Sequence, residues 1–540
     1  MGIYLNPGTE RFNMTLNGRI YVDKTDMISY LNSVVNTPQR FLCVSRPRRF
    51  GKTTAIDMLS AYYGYGADSR ALFEGRKLTQ CPEWDRYLGR FDVIYIVMTR
   101  LVEDNRTIHD AIALLKRRVL KELADAYPEV KYEEDDFIYS LELFYAASKR
   151  QFLFVIDEWD AIFREFSNDY QAQKDYLDFL RNLFKDQAFV ALAYMTGILP
   201  VKKYGQHSAL NMFDEYSMLS PMQLASYTGF TPQEVQALCK EFGMDYDSIR
   251  EWYDGYKVNG EAPVNEEGRM STEYHLYAPL SVVKAMITGQ IQDYWNKTET
   301  YEALAKYIRM DYDGLKEIVA RLMAGERIPV DLRTYQNDMT SFSGRDDVLA
   351  LLIHLGYLGY EQNTRCVFIP NREILDEYHA STKGREWSST MRALQNSQEL
   401  LEATWAGNEK RVAELLEAAH DKAGNRTYNS EDALSYAVQL AYYKAQDEYT
   451  VIPELDTGKG YADLVYIPKH PGRPALLIEL KYQSDAVSAI DQILKRNYPS
   501  RLEHYQDNLI LVGINYDKDA DPKAPNFKHH SCRLFKLIGE

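Results

Sequence analysis

The sequence has little cysteine, no excess of positive charge and no long apolar run. Its five cysteines are scattered without a C-x-x-C pair, so neither a zinc site nor a disulfide framework is expected, and a reducing compartment is the default. The net charge of −15 argues against a basic surface made for nonspecific nucleic-acid binding. A local basic cleft stays compatible with it, because a site depends on local potential rather than on net charge.

The longest uncharged apolar run is residues 188–201, AFVALAYMTGILPV. It is too short to span a bilayer and is typical of a buried strand. The opening residues, MGIYLNPGTERFNM, have no apolar core of the kind that signal peptides carry. These observations predict a cytoplasmic protein with no membrane association.

The length of 540 residues predicts two to four domains, and 45% hydrophobic with 26% charged residues is ordinary globular composition. Residues 1–220 alternate apolar runs with amphipathic helical patterns, which is typical of a parallel α/β sheet. Residues 221–380 are helix-rich, and residues 381–540 return to strands in a core at about 428–540. The predicted fold is therefore α/β and multidomain.

A phosphate-binding loop is indicated by FLCVSRPRRFGKTT, residues 41–54. Arg46 stands where the P-loop pattern has its first glycine, but phosphate is bound by backbone N–H groups at a helix start and by a lysine. Gly51 permits close backbone approach, Lys52 supplies charge, and Thr53, followed by Thr54, offers a hydroxyl to Mg²⁺. These residue types predict ATP and Mg²⁺ binding.

An acidic pair ends the apolar run QFLFVIDEWD, residues 151–160. The carboxyl end of a parallel strand faces the ligand crevice, so Asp157 is placed to hold Mg²⁺ and Glu158 to polarise an attacking water. The alternative is a buried strand that ends in two solvated acids. The G-K-T-T sequence about a hundred residues upstream favours the ATP site.

Three further residues near this site keep two interpretations each. Thr196, at the end of FVALAYMTG, either senses the γ-phosphate or merely terminates a strand. Arg48 and Arg49 either contact phosphate or bind acids of a neighbouring domain.

A second constellation lies in ELDTGKGYADLVYIPKHPGRPALLIELKYQ, residues 454–483. Strand alternation puts Glu479 and Lys481 on one face, and a hairpin through KHPGRP brings Asp463 beside Glu479. Paired carboxylates repel unless a divalent cation lies between them, and a lysine can stabilise developing phosphate charge. The pattern favours metal-dependent phosphodiester hydrolysis over the alternative of a surface hairpin with an exposed Glu–Lys pair.

Flanking residues extend this second site. Glu431 begins the preceding helical pattern and is a candidate third carboxylate for the metal. Gln492 lies on the following helical pattern, where Lys495 and Arg496 are placed to meet a nucleic-acid backbone.

With these motifs, the chain resembles a family of prokaryotic AAA-ATPase-like proteins that carry a C-terminal PD-(D/E)XK nuclease-superfamily domain. The matching stretches are YVDKTDMISYL, RPRRFGKTT, FVIDEWDAIF, TGILPVKK, EWYDGYKV, FIPNREI and GYADLVYIP…LLIELKY…AIDQILKRNY…LVGINY. The family's own loop reads RPRRFGKT, so Arg46 is usual for it. Tyr461 departs from the family, which commonly has an arginine two residues before the aspartate.

The resemblance implies an ASCE/AAA-like P-loop NTPase, a helical middle domain and a restriction-endonuclease-like α/β domain. It assigns Lys52 and Thr53 to the nucleotide and Asp157 and Glu158 to Mg²⁺ and water. It also assigns a C-terminal site of five residues, namely Glu431, Asp463, Glu479, Lys481 and Gln492.

The leading hypothesis is an ATPase coupled to a nuclease that uses Mg²⁺ or Mn²⁺, with DNA expected ahead of RNA as the partner. The alternative is an ATP-dependent regulatory switch whose C-terminal domain binds nucleic acid or a protein without cutting. A homo-oligomer is compatible with either hypothesis.

Overall fold

The computed structural model divides the chain into two units, which are mainly residues 1–300 with 329–376 and residues 301–328 with 377–540. The residues it describes are 2–103, 107–201, 210–261, 271–295, 300–309, 314–323, 325–335, 342–382, 396–420, 431–442, 445–456, 461–470, 472–495, 502, 505, 508–520 and 528–538. The predicted polar break at 421–430 and the predicted contact residue Arg496 lie outside them. Within the described residues, no helix has the length and apolar character needed to cross a membrane.

Five parallel strands form the central sheet of the first unit. They are β1 (Phe41–Ser45), β2 (Asp92–Val97), β3 (Phe152–Asp157), β4 (Val190–Gly197) and β5 (Asp214–Tyr216), in the order β2-β3-β4-β1-β5. The first four are apolar runs that are buried except at Val97 of β2, because helices cover both faces of a parallel sheet. β4 lies between β1 and β3, so its carboxyl end separates the phosphate loop from the acidic pair.

Helices and a few short strands complete the first unit. The helices of this unit are Glu10–Leu16, Met27–Val34, Lys52–Tyr63, Arg70–Phe73, Met98–Glu103, Ile108–Ala126, Phe137–Ser148, Ala161–Glu165, Tyr170–Phe184, Pro232–Phe242, Tyr246–Tyr253, Pro279–Thr288 and Arg345–Leu355, with a 3₁₀ turn at Lys77–Gln80. The helix Arg372–Ser381 begins in this unit. The hairpin strands are β6 (Tyr256–Glu261) and β7 (Ser271–Leu276), and β9 (Gly359–Glu361) and β10 (Cys366–Phe368) are shorter. The two residues of β8 (Ile328–Pro329) are divided between the two units.

Local sequence explains where several of these helices begin. The hydroxyl of Thr231 accepts the backbone N–H of Glu234 while the Glu234 carboxylate accepts that of Thr231, and Pro232 follows at the first helical position. The Thr107 hydroxyl caps the long helix Ile108–Ala126, whose apolar stripe is buried.

The second unit is built around a mixed five-stranded sheet. Its strands are β11 (Tyr449–Asp456), β12 (Tyr461–Pro468), β13 (Ala475–Tyr482), β14 (Asn508–Tyr516) and β15 (His530–Ile538), adjacent in chain order and antiparallel except for the β13–β14 pair. Its helices are Thr300–Arg309, Leu315–Met323, Ser397–Ala406, Glu409–His420, Glu431–Ala441, Ala445–Glu448 and Ala486–Lys495.

Alternation along β13 separates two cores. Leu476, Ile478 and Leu480 pack with the helices of residues 397–442, whereas Ala475 and Leu477 pack with the helix Ala486–Lys495. By the same alternation Glu479 and Lys481 share the face of Ala475 and Leu477.

Gly513 of β14 is the register partner of Glu479 on β13. A Cβ at Gly513 would lie 2.4 Å from the carbonyl oxygen of Ala486 and 3.1 Å from Cβ of Ala489. The helix Ala486–Lys495 therefore lies against the sheet at a distance that only glycine permits.

Candidate nucleotide and nuclease sites

The phosphate loop joins β1 to the helix Lys52–Tyr63. Gly51 caps this helix with φ of 86°, a left-handed conformation that glycine adopts without strain. The Lys52 ammonium points back into the loop and donates to the carbonyls of Arg46 at 3.0 Å and Pro47 at 2.8 Å. Burial lowers the pKa of Lys52 to about 8, although the charges of Asp160, Asp157 and Glu158 oppose the fall.

Arg46, in the place of the first loop glycine, is a structural residue. Its fully buried guanidinium donates to the carbonyls of Ser45 at 2.8 Å, Tyr216 at 2.7 Å and Leu224 at 3.4 Å. Burial lowers the pKa of Arg46 to about 10. The side chain thus ties β1 to β5 instead of facing the groove.

Asp157 is the centre of the acidic end of the site. The hydroxyl of Thr53 donates to its Oδ2 at 2.9 Å, and the hydroxyl of Thr196 donates to its Oδ1 at 2.7 Å. Asp157 is 4% exposed and Thr196 is fully buried. The sheet order brings together residues from three elements, with Thr53 and Asp157 104 positions apart and Asp157 and Thr196 39 positions apart.

Glu158 follows Asp157 in a left-handed conformation with φ of 51°. Its carboxylate accepts a hydrogen bond from Arg164 at 2.6 Å, within an ion pair. Asp160 is buried nearby and accepts the backbone N–H groups of Ile198 and Leu199 at 3.1 and 3.0 Å. Sequence reasoning missed Arg164 and Asp160, although their spacing after the acidic pair is visible in WDAIFRE.

A groove of about 480 Å³ opens beside the loop. Arg48, Arg49, Gly51, Lys52, Thr53, Thr54 and Glu158 line one part of it. Ile20, Tyr21, Val22, Tyr227, Phe230 and Val283 line another, largely apolar part. An apolar wall next to a cationic loop suits a ligand that has both a ring system and an anionic group.

A second cavity of about 620 Å³ shares Thr53 and Glu158 with the groove and is also lined by Asp157. Asp57 lines it too, one helical turn beyond Thr53, and accepts the Tyr95 hydroxyl at 3.1 Å. Burial raises the pKa of Asp57 to about 6, opposed by the Tyr95 hydrogen bond and by Arg11. No sequence motif pointed to this carboxylate.

The residues present fit a magnesium ion in the first unit, because the Thr53 hydroxyl and the Asp157 carboxylate are hard oxygen donors and Mg²⁺ in proteins keeps several waters. The described residues contain no group of three or more His, Cys, Asp and Glu side chains arranged to hold a metal. In the second unit Asp463 and Glu479 supply two carboxylates, and the side chain of the proposed third, Glu431, lies outside the described residues.

The second site has the hairpin geometry that the sequence predicted. β12 and β13 pair with Leu464 opposite Ile478, and Oδ2 of Asp463 accepts the backbone N–H of Leu480 at 2.6 Å. The Lys481 ammonium lies 3.2 Å from Oε1 of Glu479, and the amide of Gln492 donates to the same oxygen. Glu479 is 1% exposed, so its charge is held by close donors rather than by water.

Two family models match the chain on these regions. Residues 7–206 match the model described as Predicted AAA-ATPase, and residues 434–523 match that of the PD-(D/E)XK nuclease superfamily. The chain carries both domains. The phosphate loop and the acidic pair lie in the AAA-ATPase-like domain, and Asp463, Glu479 and Lys481 lie in the nuclease-superfamily domain.

One curated protein, an uncharacterized protein in the vnfD 5′ region of Azotobacter chroococcum mcd 1, is 28% identical over 287 residues. The alignment covers 52% of this chain and 51% of that protein, so the chain spans about half the length of the relative it matches.

Solved structures with partial likeness include proteins of Pyrobaculum aerophilum and Aeropyrum pernix. CDC6P of Pyrobaculum aerophilum is 12% identical, with 67% of this chain and 92% of that chain covered and a TM-score of 0.25. The ORC2 protein of Aeropyrum pernix, in ADPNP–ADP complexes, is 12% identical, with coverage of 67% and 96% and a TM-score of 0.30. The ORC1 protein of Aeropyrum pernix, in complex with DNA, is 10% identical, with coverage of 89% and 95% and a TM-score of 0.20. TM-scores of this size support no argument about this chain.

Proposed function

We propose that the AAA-ATPase-like domain binds ATP with Mg²⁺ and hydrolyses it. The observation that carries the proposal is the convergence of Thr53 and Thr196 on Asp157 beside the groove. The alternative, a buried strand that ends in two solvated acids, does not explain why hydroxyls from the phosphate loop and from β4 both donate to Asp157.

Each residue has a chemical role in this proposal. Lys52 exchanges its loop carbonyls for phosphate oxygens, and backbone N–H groups at the start of the helix Lys52–Tyr63 face the same phosphates. Thr53 and Asp157 hold Mg²⁺, which supplies charge neutralisation of the phosphates. Glu158 orients the attacking water once its carboxylate leaves Arg164.

We further propose that the nuclease-superfamily domain cleaves phosphodiester bonds of nucleic acid, with DNA expected ahead of RNA, and that ATP turnover is coupled to this cleavage. Asp463 and Glu479 would hold a divalent cation, which activates water and polarises the phosphate when bound. Lys481 and Gln492, both on Glu479 Oε1, orient that carboxylate, and the Lys481 ammonium is available to developing phosphate charge.

The test measures ATP hydrolysis and the cleavage of duplex DNA and of RNA by the full chain, with Mg²⁺ or Mn²⁺ and with or without ATP. The proposal expects hydrolysis that Lys52→Ala abolishes and cleavage that Lys481→Ala abolishes. Tight ATP binding without turnover, together with nucleic-acid binding that survives Glu479→Ala, would replace the proposal with a regulatory switch. No ATP binding by the wild-type chain would refute it.

A further inference from the structure

A short backbone segment, Tyr294–Trp295, is held by side chains on two sides. From the phosphate loop, one nitrogen of the Arg49 guanidinium donates to the carbonyl of Tyr294 at 3.2 Å and to that of Trp295 at 2.5 Å. The guanidinium also lies 5.5 Å from the centre of the Trp295 ring. Arg49 is therefore engaged with protein carbonyls while its loop faces the groove.

The other side of the segment is held by Glu373. Its Oε1 accepts the backbone N–H of Tyr294 at 2.7 Å and that of Trp295 at 2.9 Å. The Ser281 hydroxyl donates to both carboxylate oxygens, at 3.0 and 2.8 Å. Glu373 and Trp295 are each 1% exposed, so this is a buried and well-packed anchor.

The backbone of Arg49 has an unusual conformation. Its φ is 70°, a left-handed conformation that is unfavourable for residues with a Cβ, and Gly51 two positions on has φ of 86°. The same residue thus combines an unfavourable backbone conformation with side-chain bonds to Tyr294 and Trp295.

We infer that Arg49 is a positioning residue, which holds the phosphate loop in its receiving shape by anchoring on the Tyr294 and Trp295 carbonyls, and that Arg48 is the loop arginine that meets phosphate. Arg48 is exposed and lines the same groove. The inference rests on the proposed nucleotide binding and assigns different roles to two adjacent residues of the same type.

The two roles predict different nucleotide preferences. A cation that contacts the outermost phosphate favours ATP over ADP, because ADP lacks that phosphate. A residue that shapes the loop acts on ATP and ADP alike, since both place a β-phosphate in the loop. The ratio of the two dissociation constants therefore separates a ligand from a positioning residue.

The experiment measures Mg-ATP and Mg-ADP binding by isothermal titration calorimetry on the full chain and its Arg49→Ala, Arg49→Lys and Arg48→Ala variants. Arg49→Ala is expected to weaken both nucleotides by about tenfold, the factor that about 1.4 kcal/mol represents. Arg49→Lys restores part of this, because an ammonium can donate to one of the two carbonyls. Arg48→Ala weakens ATP more than ADP. Loss of ATP binding alone in Arg49→Ala, or no loss, would overturn the inference.

Ser281→Ala tests the anchor from its far side, because Ser281 is buried behind Glu373. It is expected to weaken both nucleotides by a common factor, and Arg49→Ala combined with Ser281→Ala to cost less than the sum of the two. Ser140→Ala is the matched control, since this serine is equally buried and bonds the Glu133 carbonyl at 2.6 Å. Equal effects of Ser140→Ala and Ser281→Ala would assign Ser281 to stability alone. Absence of ATP binding by the wild-type chain would instead count against the proposed function.

Discussion

Asp157 and Glu479 are both buried carboxylates near the ends of sheet strands, at 4% and 1% exposure, but their donors differ. Asp157 accepts hydrogen bonds from the neutral hydroxyls of Thr53 and Thr196. Glu479 accepts hydrogen bonds from the charged ammonium of Lys481 and from the amide of Gln492. Among the described residues the side chains bonded to Asp157 are hydroxyls, with Lys52 acting on it only through space, whereas the Lys481 ammonium lies 3.2 Å from Oε1 of Glu479. The carboxylate of Asp157 is therefore suited to bind a cation, whereas Lys481 already balances much of the negative charge of Glu479.

The largest effect is expected at the second site. Glu479→Gln keeps the side-chain shape and removes its charge, so that one of two described carboxylates is lost to the cation. Cleavage of duplex DNA with Mn²⁺ should fall about 100-fold or more, measured by gel assay under single-turnover conditions. Glu399→Gln is the control, because Glu399 is exposed and paired with Arg411. Unchanged cleavage in Glu479→Gln would mean that the self-balanced carboxylate is not a metal ligand.

The next effect concerns phosphate binding in the first unit. Lys52→Ala removes the buried ammonium that now bonds the Arg46 and Pro47 carbonyls. Two charge-assisted hydrogen bonds at about 1.5 kcal/mol each predict Mg-ATP binding weakened by about 100-fold. Calorimetric titration measures this, with Lys121→Ala as an exposed lysine control. Equal affinity in the two variants would contradict the assignment of the loop.

A smaller effect tests the neutral donors of Asp157. Thr196→Val keeps the volume but leaves Oδ1 of the buried carboxylate without this hydroxyl, which should destabilise the domain by about 1–3 kcal/mol. Scanning calorimetry of the full chain measures the change, and Thr196→Ser should lose much less because it retains a hydroxyl. Equal stability of the Thr196→Val and Thr196→Ser variants would mean that the hydroxyl does not stabilise the domain. The proposed difference between the donors of Asp157 and Glu479 would then have no energetic consequence.

The smallest effect is a proton linkage at Lys52. Burial lowers its pKa to about 8, and a bound phosphate would favour the ammonium and raise that pKa. Above about pH 8 nucleotide binding should therefore take up a proton, and ATP affinity should fall as the pH rises. Titrations at one pH in two buffers of different ionisation enthalpy measure the uptake. Lys52→Met, which cannot titrate, should show none from this site.

Much of the fold followed from local patterns. Four apolar runs became β1 to β4, and PQEVQALCKEF became the helix Pro232–Phe242, because burial and capping are encoded within each segment. Residues 221–380 were predicted to be helix-rich, but within them the helix Arg345–Leu355 ends and β9 begins at Gly359. Gly356 lies at the helix C-terminus with φ of 88°, and this glycine stop was the signal that the prediction passed over.

Site residues could be predicted where local sequence patterns, such as a hairpin or strand alternation, bring them together. Asp463, Glu479 and Lys481 meet because a hairpin and alternation place them together. The bonds of Arg49 to Tyr294 and Trp295 were not predictable, because nothing in the spacing of residues 49 and 295 shows that they touch. Arg164 and Asp57 lie only six and four residues beyond Glu158 and Thr53, and they were missed because neither belongs to a sequence motif. The three-domain boundaries and the site roles stay predictions.

Gly513 allows the helix that carries Gln492 to approach the second site closely. Because Gly513 places no side chain against the helix Ala486–Lys495, Gln492 on that helix comes within hydrogen-bonding range of Glu479. An alanine at position 513 would push the helix away from the sheet and separate Gln492 from Glu479, with every candidate site residue left unmutated. The distance between β14 and the helix Ala486–Lys495 thus controls the geometry of the site, and one added methyl group would change it.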